Sequence, residues 1–418
     1  MPETTGLAPF SFDAMAPLAD LIGDASIVAI GENNHHIHEF GLLRNRLLRH
    51  LVEQHGFTVL GFESGFAEGQ LTDAWLRGAP GDVAEIGRDG FTFSLGDSPE
   101  AHAMLTWLRD HGGVRFAGLD LPSSAGSPVP SLRAVAAYLE GVDPGAVSLV
   151  EAALAACEPY ASVSSGVAPG RYAAMSPEAR DAATAALTTL RARLGSLEPI
   201  HRQSPGDHDF ARHHAKGALL VDTYLRELDA LMAGRAPEPQ GSSRDLYMAE
   251  TVRLLRKRFP GEKIVLMLHN GHLQRVPFSP MPGMRMPSAG THLAAEYGDD
   301  YFALALTGGT GTTTGLTPDE SAPLGFRVHA EDLGEPEPDS VEAALADAGE
   351  CLLDLRTVRA KSDVRPQRIR HAHMYSTADV AEAFDALVYL PRIGVSEYVT
   401  RSGDIELPVG GAGGTTHA

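Results

Sequence analysis

The sequence predicts an α/β protein: a mostly parallel central sheet flanked by helices, with a helical insertion forming a lid or wall over an active-site cleft. Three observations carry that expectation. Short apolar runs rich in β-branched residues recur along the chain, a helical stripe lies between the first two, and one long Ala- and Leu-rich stretch has almost no strand character.

The first strand is expected at residues 26–30. After it, Phe40, Leu43, Leu47, Leu48 and Leu51 fall on one stripe at helical spacing, and the stretch stops at His55-Gly56. A second run at 58–62 completes a βαβ unit. Further runs at 114–119, 264–268, 301–306, 351–355 and 387–390 have the length and composition of strands buried on both faces. Residues 1–130 are therefore read as the first part of the α/β catalytic core and 131–234 as the helical insertion, which contains EARDAATAALTTLRARLGSL and KGALLVDTYLRELDALMAG. A loop at 234–243 with two prolines precedes a helix at about 245–258. Residues 235–408 are the second part of the core, and 409–418, with GGAGG, a flexible tail.

Bulk properties narrow the function. At 418 residues, 43% hydrophobic and 21% charged, the chain can build a sizeable core without staples. A net charge of -20 works against phosphate backbones and anionic lipid, so neither nucleic acid nor a membrane is expected as a partner. The two cysteines, Cys157 and Cys351, support no disulfide framework and no Cys-based zinc site; both are assigned to packing. The N-terminal residues lack a basic segment followed by an apolar one, and no stretch is long and apolar enough to span a bilayer. A cytoplasmic protein is expected. Nothing in the sequence sets an oligomeric state.

Chemistry concentrates where strands stop. The first runs into Gly31-Glu32-Asn33-Asn34-His35-His36-Ile37-His38-Glu39, the second into Glu63, the third into Asp120 and the fourth into His269-Asn270-Gly271-His272. In a parallel sheet these ends share one edge, the edge where open α/β folds bind ligands. Any one of these residues is equally well explained as a helix cap or turn residue. Four such ends together point to a site. Imidazole titrates near neutral pH, so His35 is the candidate to take a proton from an attacking water, with Glu32 or Glu63 fixing its tautomer. His269 is a candidate donor to a developing oxyanion or a leaving alkoxide. Ser64 sits in FESGF, without the Gly-x-Ser-x-Gly of a nucleophile elbow, so water attack is preferred. His213 and His214, in the insertion, are expected to be solvated or substrate-facing.

The string GENNHHIHEFGLLRNRLLRHLVEQHGFTVLGFESGFAEGQLTDAWLRG resembles the N-terminal signature of the erythromycin esterase family: Gly31, Glu32, His35, then Glu39-Phe40, then Arg44 on the helix. FAGLDLP at Asp120, RDLYMAETV from Arg244, VLMLHNGHLQR at His269 and His272, GDDYFALALT and AEAFDALVYL continue the similarity in order. Within the insertion only EPIHR, residues 198–202, is similar. The resemblance implies a metal-independent or weakly metal-dependent esterase that adds water to the lactone of a 14-membered macrolide and needs no cofactor. Arg44 would hold Glu32 or Glu63 ionised. His272, Glu39 and Asp120 are candidate substrate-binding residues, Asp120 alternatively a supporting partner or a helix cap. Three other readings stay open. His35, His36, His38, His269, His272 and the acids could bind a divalent zinc or manganese ion in a metallohydrolase. A histidine-lined cleft could carry haem. The same fold could serve a biosynthetic esterase or transferase acting on another polyketide.

Overall fold

In a computed structural model the described residues are 7–399 except 12–14, 163–164, 202–204, 237–240, 280–283, 320, 323 and 362–364. The expected tail at 409–418 and the middle of the proline-containing loop lie outside them. The strands are β1 Leu7–Pro9, β2 Ile27–Ile30, β3 Phe57–Gly65, β4 Arg115–Asp120, β5 Lys263–Met267, β6 Tyr301–Pro318, β7 Phe326–Asp332, β8 Cys351–Asp354, β9 Arg368–His371, β10 Met374–Thr377 and β11 Ala386–Ile393.

The main sheet runs β1-β8-β11-β6-β2-β5-β3-β4, with β7 added to β6. From β11 to β4 every pairing is parallel. β8 and β1 continue antiparallel at one side. The mostly parallel α/β class is therefore what the chain adopts. Its apolar runs are continuous because both faces are covered. Val28, Ile30, Val265 and Met267 enter one core cluster, while Ile27, Ala29, Ile264 and Leu266 enter the other. The helix His38–His55 buries Phe40, Leu43, Leu47, Leu48 and Leu51 against the first face and ends at Gly56, whose φ of 72° is the left-handed stop. The helix Ser243–Arg258 lays Met248, Ala249, Val252 and Leu255 on the opposite face.

β6 departs from expectation. Its apolar part ends at Leu306, yet it continues through TGGTGTTTGLTP to Pro318, because residues 312–318 pair antiparallel with β7. The run reads as a loop until its partner strand is known.

The helices Val129–Val142, Val147–Cys157, Ala168–Ala173, Pro177–Ser196, Glu198–His201 and Pro205–Met232 build a third core of their own, with Leu132, Leu139, Leu187, Leu194, Val221 and Leu225 inside. Phe66 and Tyr247 join it to the α/β part. His213 and His214 lie in that seam, 8% and 2% exposed, rather than at the surface. The His213 ring stacks on Tyr247 at 4.2 Å with Nε2 2.8 Å from Thr251 Oγ1, and His214 Nδ1 is 3.2 Å from Ser131 Oγ. Burial pushes both imidazoles down, His214 to about 3, so they pack as neutral rings. Among the described residues no helix is long and apolar enough to cross a membrane.

Candidate active site

Register brings the site together. Ile30 and Phe62 both stand beside Met267, so β2, β3 and β5 end at one level and the loops leaving them converge. Gly31 opens the first turn. A Cβ there would lie 1.9 Å from Asn270 Oδ1, and the space is needed because Asn270 Nδ2 donates to Leu306 O across the sheet end at 2.9 Å.

Glu32 comes next, 6% exposed. Its Oε1 is 2.9 Å from His35 Nδ1, and its Oε2 is 2.6 Å from Nη1 of the equally buried Arg44. Burial would raise the Glu32 carboxyl, but the Arg44 charge and the His35 hydrogen bond hold it below the usual range. An ionised acceptor at Nδ1 puts the ring proton there and leaves the lone pair on Nε2. That nitrogen is 3.8 Å from Glu63 Oε1, too far for a direct hydrogen bond, and the side chain keeps a quarter of its exposure. Burial would lower the His35 pKa; the Glu32 hydrogen bond and the Glu63 charge reverse this and raise it.

Glu63, on β3 and 2% exposed, is the centre of a second network. Oε2 accepts the His269 backbone N–H at 2.6 Å, Oε1 accepts from Arg244 Nη2 at 3.1 Å, and His272 Nε2 lies 3.4 Å from Oε1. Arg244 also forks the wholly buried Asp120, its Nε at 2.9 Å and Nη2 at 2.6 Å from Oδ2. Asp245 accepts from His272 Nδ1 at 2.8 Å. Burial opposes the charge on Glu63, but His272, His35 and Arg244 keep its carboxyl far below the ordinary range. For His272 burial lowers the pKa, and the Asp245 and Glu63 charges more than reverse it.

His35, Glu32, Arg44, Glu63, His269 and His272 are thus brought together, with Asp120 behind Arg244. His269 is fully committed: Nε2–H donates to Asn33 O at 2.8 Å and Nδ1 accepts Gly271 N–H at 3.0 Å. With no nitrogen left over, this ring is placed to hold the loop rather than to donate to an oxyanion. Glu39 is not brought in; its Oε2 accepts the Gly394 N–H at 2.8 Å, tying the helix start to the end of β11. Asp120 is sealed from solvent, so it positions Arg244 and does not face a substrate. Ser64 is also buried, accepting Thr92 N–H at 2.9 Å. Arg244 and Asp245, which reading by strand ends misses, come from the first turn of a helix, where such residues look like caps. Among the described residues no group of three or more His, Cys, Asp or Glu is arranged to hold a metal ion. The donor set fits one poorly, since both Glu63 oxygens already accept hydrogen bonds and the Arg244 guanidinium adds a fixed positive charge beside them.

Phe93 connects this centre to a cleft. Its ring stacks on His35 at 6.4 Å between centroids and lies under the Arg244 guanidinium at 5.6 Å. The cleft holds about 610 Å³ and is lined by Phe91, Phe93, Leu324, Phe326, Val328 and Tyr398, with Glu68, Arg88 and Asp97 among its polar groups. Among the described residues of 131–234, Ser165 reaches it. The apolar wall comes chiefly from the 91–97 loop, Leu324 of the β6–β7 turn and Phe326 and Val328 of β7, because the insertion helices spend their apolar faces on their own core.

Paired carboxylates and imidazoles at the carboxyl edge of an open parallel sheet, beside an apolar cleft, are the arrangement of an α/β enzyme that works on a small molecule. The erythromycin esterase profile matches residues 52–393. Erythromycin esterase type II of Escherichia coli is 30% identical over 93% of this chain and 94% of its own length, and the type I enzyme is 28% identical over 93% and 96%. A solved structure of a mutant of the erythromycin esterase EreC, in its open conformation, superposes with a TM-score of 0.81 at 26% identity, covering 93% of this chain and 96% of that one. A succinoglycan biosynthesis protein shares the fold with a TM-score of 0.72 at 19% identity, over 94% and 95% of the two chains. The chain belongs to the erythromycin esterase family, and it is a carboxylic ester hydrolase.

Proposed function

We propose that the protein opens the lactone of an erythromycin-like macrolide by adding water, with His35 as the general base and no cofactor. One observation carries the reading: the Arg44–Glu32–His35 relay fixes the proton on Nδ1 and leaves Nε2 without a direct hydrogen bond among the described residues, while Phe93, stacked on His35, lines an apolar cleft of about 610 Å³. Water attacks the ester carbonyl while Nε2 accepts its proton. The tetrahedral oxyanion collapses, the bond from the acyl carbon to the ring oxygen breaks, and the imidazolium returns the proton to the departing alkoxide. The product is the ring-opened hydroxy acid, in which an antibiotic macrolide has lost its ring. The relatives' names support the substrate class, and two buried free cysteines favour a reducing, cytoplasmic setting.

Mass spectrometry of a macrolide panel in isotopically heavy water tests this. At least one member should gain one water, with the label in the new carboxylate, and His35→Ala should lower turnover by about two to four orders of magnitude. A different mass change, or a His35→Ala enzyme as active as the parent, overturns the reading.

A further inference from the structure

β9 and β10 form a hairpin outside the main sheet, in which Met374 pairs with His371 across a turn at Ala372-His373. The hairpin end is firmly attached. Arg370, 2% exposed, donates to the carbonyls of Leu333, Gly309 and Gly334 at 2.9, 3.0 and 2.9 Å. Its own N–H donates to Glu342 Oε1 at 3.0 Å. Ala372 takes a φ of 56°, a left-handed conformation unfavourable for alanine, and its N–H reaches Asn33 O at 2.8 Å. That is the carbonyl which also accepts from His269, two residues before His35.

The side chain delivered by this attachment is His371. Its ring lies 4.2 Å from that of His269, and its Cε1 is 3.6 Å from where a Cβ on Gly271 would stand. Ser376 Oγ, 3.4 Å from Nδ1, is its hydrogen-bond contact among the described residues. The other imidazoles of the centre are already engaged: His35 at Nδ1, His269 at both nitrogens, and His272 at Nδ1 with Nε2 turned to Glu63. Ser376 Oγ can donate to Nδ1 or accept from it; in the tautomer where the serine donates, the His371 proton stands on Nε2, where no protein group among the described residues receives it.

We propose that His371 is a further catalytic residue: a neutral imidazole whose Nε2–H donates to the carbonyl oxygen of the scissile ester and to the oxyanion that develops on it. The assignment rests on the ester-hydrolysis reading and adds to it the group that receives the negative charge. Burial, together with the positive charge of His272 and His35, pushes His371 to about 4, so the ring stays neutral through the working range. A neutral N–H already fixed in a poorly solvated site needs no reorganisation as the oxyanion forms. No proton is transferred to or from it; it only donates a hydrogen bond.

Two substitutions separate this role from packing. His371→Phe keeps a ring against His269 but removes the donor, whereas His371→Gln supplies an amide N–H. The phenylalanine variant should lose about 10²- to 10³-fold in kcat with little change in KM, and the glutamine variant should recover about tenfold or more of that loss. The acid limb of the pH profile should stay where it is in the parent, because His371 does not titrate there. His371→Phe with the kcat of the parent overturns the assignment. So does equal loss in both variants together with a lowered melting temperature, which would make the ring a packing element. A parent enzyme that leaves every lactone and simple ester intact overturns the ester reading itself, a result distinct from either.

Discussion

Burial alone would drive the His35 imidazole toward its neutral form, and the Glu32 hydrogen bond together with the Glu63 charge reverses that bias. The base form is the one that accepts a proton from water. kcat/KM should therefore rise with pH through an inflection above the ordinary 6.5 of imidazole. Glu32→Gln removes one of the charges that favour the imidazolium, so the inflection should move to lower pH while the plateau falls by about ten- to a hundredfold. A pH–rate profile with an unmoved inflection would count against Glu32 as the partner that sets His35. The same groups act on stability with opposite signs. His35, raised on folding, stabilises below its unfolded pKa, and this contribution is lost as pH rises through the folded value. Glu63, depressed on folding, stabilises above its unfolded value near 4.5, and this is lost as pH falls through its folded one. Arg44→Met would leave Glu32 buried without its cation, at a cost of about 3–5 kcal/mol readable in urea unfolding. Glu32, His35 and Glu63 are legible in the sequence because each lies just beyond an apolar run or at its end. Arg244 and Asp245 are visible only inside the string RDLYMAETV, with no role attached, and His371 not at all, since a helix start and a distant hairpin carry them in and the folded topology reveals what they meet.

At the scale of elements, the strands that continuous apolar runs mark agree with the structure to within a few residues, because burial on both faces writes itself as an unbroken run. The far half of β6 escapes that signal: its threonines and glycines are chosen for pairing with β7 and not for burial on both faces. Gly31 has a similar history. In sequence it is a turn residue; in the fold it is the gap through which Asn270 reaches β6. Gly31→Ala should force Asn270 aside and cost about 1–3 kcal/mol, with reduced activity because His269 and His272 flank the displaced residue. Differential scanning calorimetry and turnover would report the two effects together, and a fully stable, fully active variant would refute the close approach. The start of β7 carries a further expectation through Phe326. Phe326→Ala should raise KM for a macrolide while leaving hydrolysis of a small activated ester unchanged, since only the larger substrate needs the apolar wall. Equal changes for both substrates would place Phe326 in the folding of the β6–β7 pair instead.

For the whole molecule, the packed cores and a net charge of -20 set the response to solvent. Self-repulsion weakens the compact state and is screened by salt, so the melting temperature should climb between about 10 and 150 mM sodium chloride. A flat or falling curve would mean that local ion pairs outweigh the net charge. The two parts of the α/β core, far apart in sequence, meet at one oxygen. The main-chain carbonyl of residue 33 receives both the His269 ring and the hairpin amide of Ala372. Substitution can remove the donor at either end, the His269 ring or the Ala372 N–H, yet no substitution at residue 33 removes a peptide oxygen. The shared acceptor itself is open to chemical rather than genetic change. Replacing the peptide bond after residue 33 by a backbone ester, a weaker acceptor, would loosen both attachments at once without altering any side chain.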